Sequence, residues 1–102
     1  FVTGVSLDKP YKGKKELNLE GIFVAIGHTP LSDLAKTIGV KLNPEKEIKI
    51  NHMTSETNVK GVFAAGDVTD KSFKQLITGV ADGCTAAYSA YEYITKKKVM
   101  MN

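Results

Sequence analysis

Two groups of residues in this sequence have the types and spacing to do chemistry. The first is Gly66-Asp67, which ends the uncharged run Val62-Phe63-Ala64-Ala65. An apolar run that stops at a glycine reads as a strand buried on both faces of a parallel sheet. In open α/β sheets, ligands bind in the crevice beyond the carboxyl ends of the strands. A carboxylate placed there only accepts hydrogen bonds, so Asp67 can hold a sugar or polyol hydroxyl. The same carboxylate could cap a helix or turn, and residue physics alone leaves the two readings level. The second group is the start of the helical run that follows. Its N-terminus, near Ser72 to Gln75, brings unpaired backbone N–H groups and the positive end of the macrodipole, which suit an anionic or electron-rich ring edge.

The elements that must position these groups can be read outward from them. From Lys74 to Ile94, residues Leu76, Val80, Cys84, Ala87, Tyr91 and Ile94 recur at steps of four and three, which is one helical face. Gly79, Gly83, Ala86 and Ala90 form a second stripe of small residues. A glycine costs a helix roughly 1 kcal/mol against alanine, so this stripe predicts that a strand or a ligand approaches the helix backbone closely. Cys84 reads as a small buried core residue, not a redox centre. Asp70 or Ser72 is expected to cap the helix, and Lys96-Lys97-Lys98 to follow it, where cations suit the negative end of its dipole.

Upstream, Phe1 to Leu7 and Leu17 to Leu19 alternate as strands of a hairpin or meander, with Asp8 to Lys15 as an exposed turn region and Tyr11 at its tip. Gly21 to Gly27 reads as a second buried strand. After it, Thr29 and Pro30 are placed to open a short helix with Leu31, Leu34, Ala35 and Ile38 on one face and Gly39 as its stop. His28 lies at the strand-to-loop turn, where a structural role outweighs proton transfer. Glu47 to Asn51 alternates as a half-exposed strand, and Asn51 to Lys60 is a polar loop in which His52 and Glu56 have no evident partner.

The runs Gly61 to Val68, Lys74-Gln75, and Thr78-Gly79 through Asp82 to Ala87 closely resemble the C-terminal flavin-binding segment of low-molecular-weight thioredoxin reductases, in the pyridine nucleotide-disulfide oxidoreductase family. Phe23 to Pro30 resembles the strand and turn that close that family's NADPH domain, and the motifs stand in the family's order across nearly the whole chain. The resemblance implies an α/β fold, part of a flavoprotein with two Rossmann-like FAD/NAD(P)-binding domains. Residues 1–28 would end the NADPH-binding domain and residues 29–102 would be the C-terminal part of the FAD-binding domain. It further implies that Gly66 and Asp67 contact the ribityl and phosphate region of FAD. Lys74, Gln75 and Leu76 would lie by the isoalloxazine ring, and His28 near bound nucleotide. Lys74 stands where the family often has arginine, and a lysine lacks the planar fork for a bidentate contact.

The activity implied is hydride transfer from NADPH to FAD, followed by electron transfer through a Cys-x-x-Cys pair to thioredoxin. This sequence has one cysteine and no G-x-G-x-x-G/A stretch. No catalytic residue or metal site is therefore assigned within it, and the isolated chain is expected to be inactive. A parent of this kind would be a cytoplasmic homodimer by family analogy. The alternatives are a relative on the same scaffold that reduces ferredoxin or a peroxiredoxin, and a non-enzymatic binding or dimerisation module with exposed strand edges.

Composition narrows the classes. The 102 residues carry 42% hydrophobic and 25% charged residues, ordinary for a globular protein. The chain opens on Phe1, which with a strand pattern at once reads as a piece of a longer protein. A net charge of +3 with dispersed lysines and no interleaved aromatics argues against nucleic-acid binding. No run is long and apolar enough to cross a membrane. The lone Cys84 leaves no internal disulfide and agrees with a reducing cytosol.

Overall fold

The computed structural model describes the backbone of residues 1–100 and the side chains of residues 1–96. Its first element is a hairpin, β1 Gly4–Tyr11 antiparallel to β2 Lys14–Asn18. Lys12 at φ 50° and Gly13 at φ 80° make the two-residue turn, a conformation that suits the right-handed twist of the flanking strands. The turn is tighter than the expected Asp8–Lys15 region, and Tyr11 is a paired strand residue, opposite Lys14. The register slips between Ser6 and Tyr11. Pro10 falls in that interval, where its missing N–H cannot serve a ladder.

Residues 21–27 form no strand, and Phe23 and Ile26 are 101% and 93% exposed. The expected buried strand fails here for a physical reason. A strand apolar on both faces needs neighbouring strands and covering layers, and no described segment of this chain pairs with it. The same holds in part for Val62 to Ala65. Phe63 forms one antiparallel bridge with Glu56, Ala64 N–H donates to Ser55 O at 3.0 Å, and the run is half-buried without belonging to a parallel sheet. The expected strand at Glu47 to Asn51 is likewise reduced to bridges, from Ile48 to Leu42 and to Thr69.

The short helix α1, Asp33–Thr37, starts later than Thr29-Pro30 would place it. Ser32 occupies its N-cap position, but the hydroxyl donates to Lys46 O at 2.6 Å instead of capping. Gly39 ends the helix as its sequence implies, at φ 84° with its N–H on Lys36 O. The long helix α2 spans Leu76–Met100. Lys96-Lys97-Lys98 thus lies inside α2 and not after it, and Lys96 pairs with Glu92 one turn back at 3.8 Å.

The packed centre is small. Val40 and Ile48 are buried, and beside them Thr69 is fully buried, its hydroxyl donating to Gly66 O at 2.7 Å. Ile48 bonds both flanks of Thr69, donating to Val68 O at 2.8 Å and accepting from Asp70 N–H at 3.0 Å. Asn58 reaches across to residues 39–41, accepting from Lys41 N–H at 2.7 Å and donating to Gly39 O at 3.0 Å. Phe63 meets Tyr93 of α2 edge-on at 6.4 Å.

Gly79 is where the small-residue stripe of the helix meets the rest of the chain. A side chain built at Gly79 would meet the Gly66 backbone at 3.5 Å, so the close approach predicted from glycine is the strand-end turn itself. A side chain built at Gly83 would meet nothing within 4 Å among the described residues. The large apolar face has no partner among the described residues: Leu76 is 89% exposed, with Val80, Tyr91 and Ile94 also exposed. Cys84 shares that face and is exposed, not a core residue of this chain. The radius of gyration is 20.9 Å, well above the ~13 Å of a compact 100-residue domain.

The 3.5 Å spacing decides the sign of substitutions at Gly79, since it is ordinary van der Waals contact for one methyl and no more. Gly79→Ala is expected to be neutral or to gain up to about 1 kcal/mol from helix propensity. Gly79→Leu is expected to cost about 1–3 kcal/mol by prising α2 off the turn. Urea denaturation of the two variants checks the order.

Candidate functional site

The candidate site is the turn at the end of Val62–Ala65 and the first turn of α2 above it. Gly66–Val68 forms a single 3-10 turn, closed by Thr69 N–H on Gly66 O at 3.0 Å. Gly66 sits at φ 79°, a left-handed conformation that costs other residues about 1–2 kcal/mol. The turn holds Asp67 out to solvent, and no hydrogen bond or ion pair among the described residues engages its carboxylate.

The α2 N-terminus is built by Thr78 and not by Asp70 or Ser72. Gln75 N–H donates to Thr78 Oγ1 at 3.0 Å, and that hydroxyl donates to Gln75 O at 2.8 Å. Asp70 is engaged elsewhere, accepting from Ile50 N–H at 3.3 Å and facing His52 Nε2 at 3.6 Å. Gly79 N–H, on Gln75 O, makes the first helical bond. The N–H groups ahead of it, on Leu76, Ile77 and Thr78, are the orphan donors of the first turn. Around them Phe73, Leu76 and Ile77 are 67%, 89% and 73% exposed, so the donors are ringed by apolar surface.

Lys74 does not point outward. Its ammonium donates to Asp67 O at 2.9 Å and to Thr69 O, and pairs with Glu47 Oε1 at 2.9 Å. The structure thereby ties Lys74 directly to Asp67, and ties it as well to Glu47, which was not singled out from the sequence. His28 Nε2 lies 4.0 Å from the same Glu47 oxygen. Glu47 leaves no local signal, since nothing in spacing links it to a lysine 27 positions on. His52 also has a partner that sequence reasoning missed, in Asp70, and Glu56 accepts from Thr54 Oγ1 at 3.0 Å.

A cavity of about 530 Å³ adjoins the helix start, lined by His52, Asp70, Lys71, Phe73, Thr78 and Asp82. On its wall Lys71 pairs with Asp82, which is buried. Breaking such a pair strands a charge in low dielectric, so this wall serves to hold α2 on the loop.

The Lys74 ammonium, hydrogen-bonded to Glu47, and then the Asn43 amide hold the Glu47 carboxyl below its ordinary value of 4.5, against the opposing effect of burial. A depressed carboxyl contributes stability that is fully present above the unfolded value and is lost as pH falls through the lower folded value. Denaturant midpoints taken from pH 6 to pH 3 are therefore expected to stay flat in Glu47's contribution until about 4.5 and then to decline. Glu47→Gln, which cannot titrate, is expected to show a shallower decline than the wild type.

Known proteins are similar to this chain in sequence and fold. The family described as pyridine nucleotide-disulphide oxidoreductase matches residues 4–83. Thioredoxin reductase of Mycolicibacterium smegmatis is 39% identical over 97 residues, covering 94% of this chain and 31% of the relative. A component of the alkyl hydroperoxide reductase of Staphylococcus epidermidis is 42% identical over 97 residues, covering 94% of this chain and 19% of the relative. The crystal structure of T. acidophilum thioredoxin reductase superposes with a TM-score of 0.72 at 38% identity, over 88% of this chain and 30% of that one. The chain spans less than a third of the length of these relatives. With a match over most of its length and a shared fold, it belongs to the pyridine nucleotide-disulphide oxidoreductase family.

Proposed function

We propose that this chain is the C-terminal portion of an NADPH-dependent flavoprotein disulfide reductase of the thioredoxin reductase type. On this reading the Gly66–Asp67 turn and the first turn of α2 face its FAD. Residues 1–28 end the NADPH-binding domain, and residues 29–102 belong to the FAD-binding domain. The parent is a cytoplasmic homodimer that passes electrons to a thioredoxin-like protein.

The observation that carries this reading is the Asp67 carboxylate, exposed and unengaged among the described residues, on the turn that meets Gly79 in the first turns of α2, where the helix has open N–H groups. Those groups fit FAD in kind. A carboxylate that only accepts suits the hydroxyls of a ribityl chain or ribose. The N–H groups of Leu76 and Ile77, at the positive end of the helix dipole, suit the electron-rich edge of a flavin ring. Exposed Phe73 and Leu76 offer it apolar contact and keep water away. Gln75 sits between these groups and Lys74 supports the turn from behind. When bound, FAD would supply acceptance of a hydride from nicotinamide and release of electrons toward a disulfide. The residues of this chain supply binding, orientation and electrostatic support for that chemistry, while the disulfide itself would come from elsewhere in the parent.

A second reading shares the same site and differs in the acceptor. The similarity to a component of an alkyl hydroperoxide reductase favours a parent that feeds a peroxide-reducing partner. NADPH consumption by the full-length protein with thioredoxin disulfide, compared with a peroxiredoxin, separates the two. Removing a hydrogen bond to a charged group costs about 1.5–3 kcal/mol, so Asp67→Ala is expected to weaken FAD binding to the full-length protein by about tenfold or more. Wild-type affinity in that variant would refute the assignment. The isolated 102-residue chain is expected to bind FAD weakly or not at all. Flavin copurifying with it at one per chain would count against the reading.

A further inference from the structure

Lys74 has three ammonium protons, and three oxygens from two stretches of chain claim them. Asp67 O lies at 2.9 Å, Thr69 O is in direct contact, and Glu47 Oε1 lies at 2.9 Å. An ammonium has no fourth donor, so the group is saturated and its place is fixed by its partners. Two of those partners are the carbonyls that flank Val68 on the turn carrying Asp67. The third is the only one of the three with a charge.

Glu47 is itself held rigidly. Its Oε2 accepts from Asn43 Nδ2 at 2.7 Å, its N–H donates to Asn43 Oδ1 at 2.8 Å, and its carbonyl accepts from Asn43 N–H at 2.8 Å. The loop between them closes through Lys46 at φ 65°. The Glu47 and Lys74 side chains are 15% and 16% exposed, so the pair is poorly screened by solvent. A continuous set of contacts thus runs from the Asn43 turn through Glu47 and Lys74 to the backbone of Asp67 and Thr69.

We propose that Glu47 is a positioning residue for flavin binding: it fixes the Lys74 ammonium, and through it the carbonyls of Asp67 and Thr69, so that the Asp67 carboxylate is preorganised for its ligand. This inference rests on the flavin reading of the site. Without the carboxylate, the ammonium loses its one anionic partner in a half-buried setting and turns toward water, releasing the turn. The Lys74 ammonium and the Asn43 amide hold the Glu47 carboxyl below its ordinary range, which agrees with a carboxylate that is charged at neutral pH. His28, 4.0 Å from the same oxygen, brings the segment before α1 to the same carboxylate.

The test is titration of the full-length apoprotein with FAD, read by quenching of flavin fluorescence, with far-UV circular dichroism to confirm folding. Glu47→Ala is expected to bind FAD about tenfold more weakly than wild type. Glu47→Gln, which keeps an acceptor for the ammonium, is expected to stay within about threefold. If Glu47 acts through Lys74, adding Glu47→Ala to a Lys74→Ala background changes affinity by less than about twofold. Wild-type affinity in Glu47→Ala, or losses that multiply in the double variant, would overturn the proposal. Should Glu47→Ala fail to fold, Asn43→Ala removes the amide that holds Glu47 and is expected to weaken binding about threefold, with unchanged affinity overturning the proposal. A wild-type protein that takes up no FAD overturns the flavin reading and this inference with it. That outcome is distinct from a wild type that binds FAD and a Glu47→Ala variant that binds it equally well.

Discussion

The ammonium of Lys74, in the lead-in to α2, joins the neighbouring Gly66–Thr69 turn to the Asn43–Glu47 loop, which lies far away in the sequence. A half-buried cation is costly unless every donor finds an oxygen, and here each does. That requirement makes the site's geometry cooperative, because moving any one oxygen leaves a donor unpaired. The backbone accounts for two of the three partners, which lets the clamp act on the course of the chain and leaves the Asp67 side chain available.

The second constraint is steric. Gly66 and Gly79 bring the turn and the helix to contact distance, which sets the first turns of α2 against the turn that carries Asp67. The two constraints divide the work, with glycine setting separation and the ion pair setting orientation. By contrast, the apolar faces at 21–27 and along Leu76, Val80, Tyr91 and Ile94 meet nothing among the described residues. Their pattern is that of elements packed against neighbours, which the described residues of this chain do not supply at these faces.

Legibility in the sequence follows the range of the forces involved. Local chemistry is readable. The β-hairpin, the stop at Gly39, the long helix and the turn at Gly66 all follow from residues within a few positions of each other. The small-residue stripe also identifies the helix face that is approached, although not that Gly66 is what approaches it. Features that depend on distant partners are not readable. Val62 to Ala65 and Gly21 to Gly27 have strand composition without strand structure, since a ladder needs a second segment in register. Asn58 has the look of a residue satisfying its own loop but staples residues 39–41. Lys74 stands out in the sequence, yet its role as a clamp rests on Glu47, whose relation to it exists only after folding.

If the exposed Asp67 carboxylate and the open N–H groups of α2 are a flavin contact, the most direct measurement is a crystal structure of the full-length protein grown with FAD. The expected result is an Asp67 carboxylate within hydrogen-bond distance of the cofactor's hydroxyls, with the N–H groups of Leu76 or Ile77 at the flavin ring. Flavin bound elsewhere, with Asp67 still facing solvent, would contradict it.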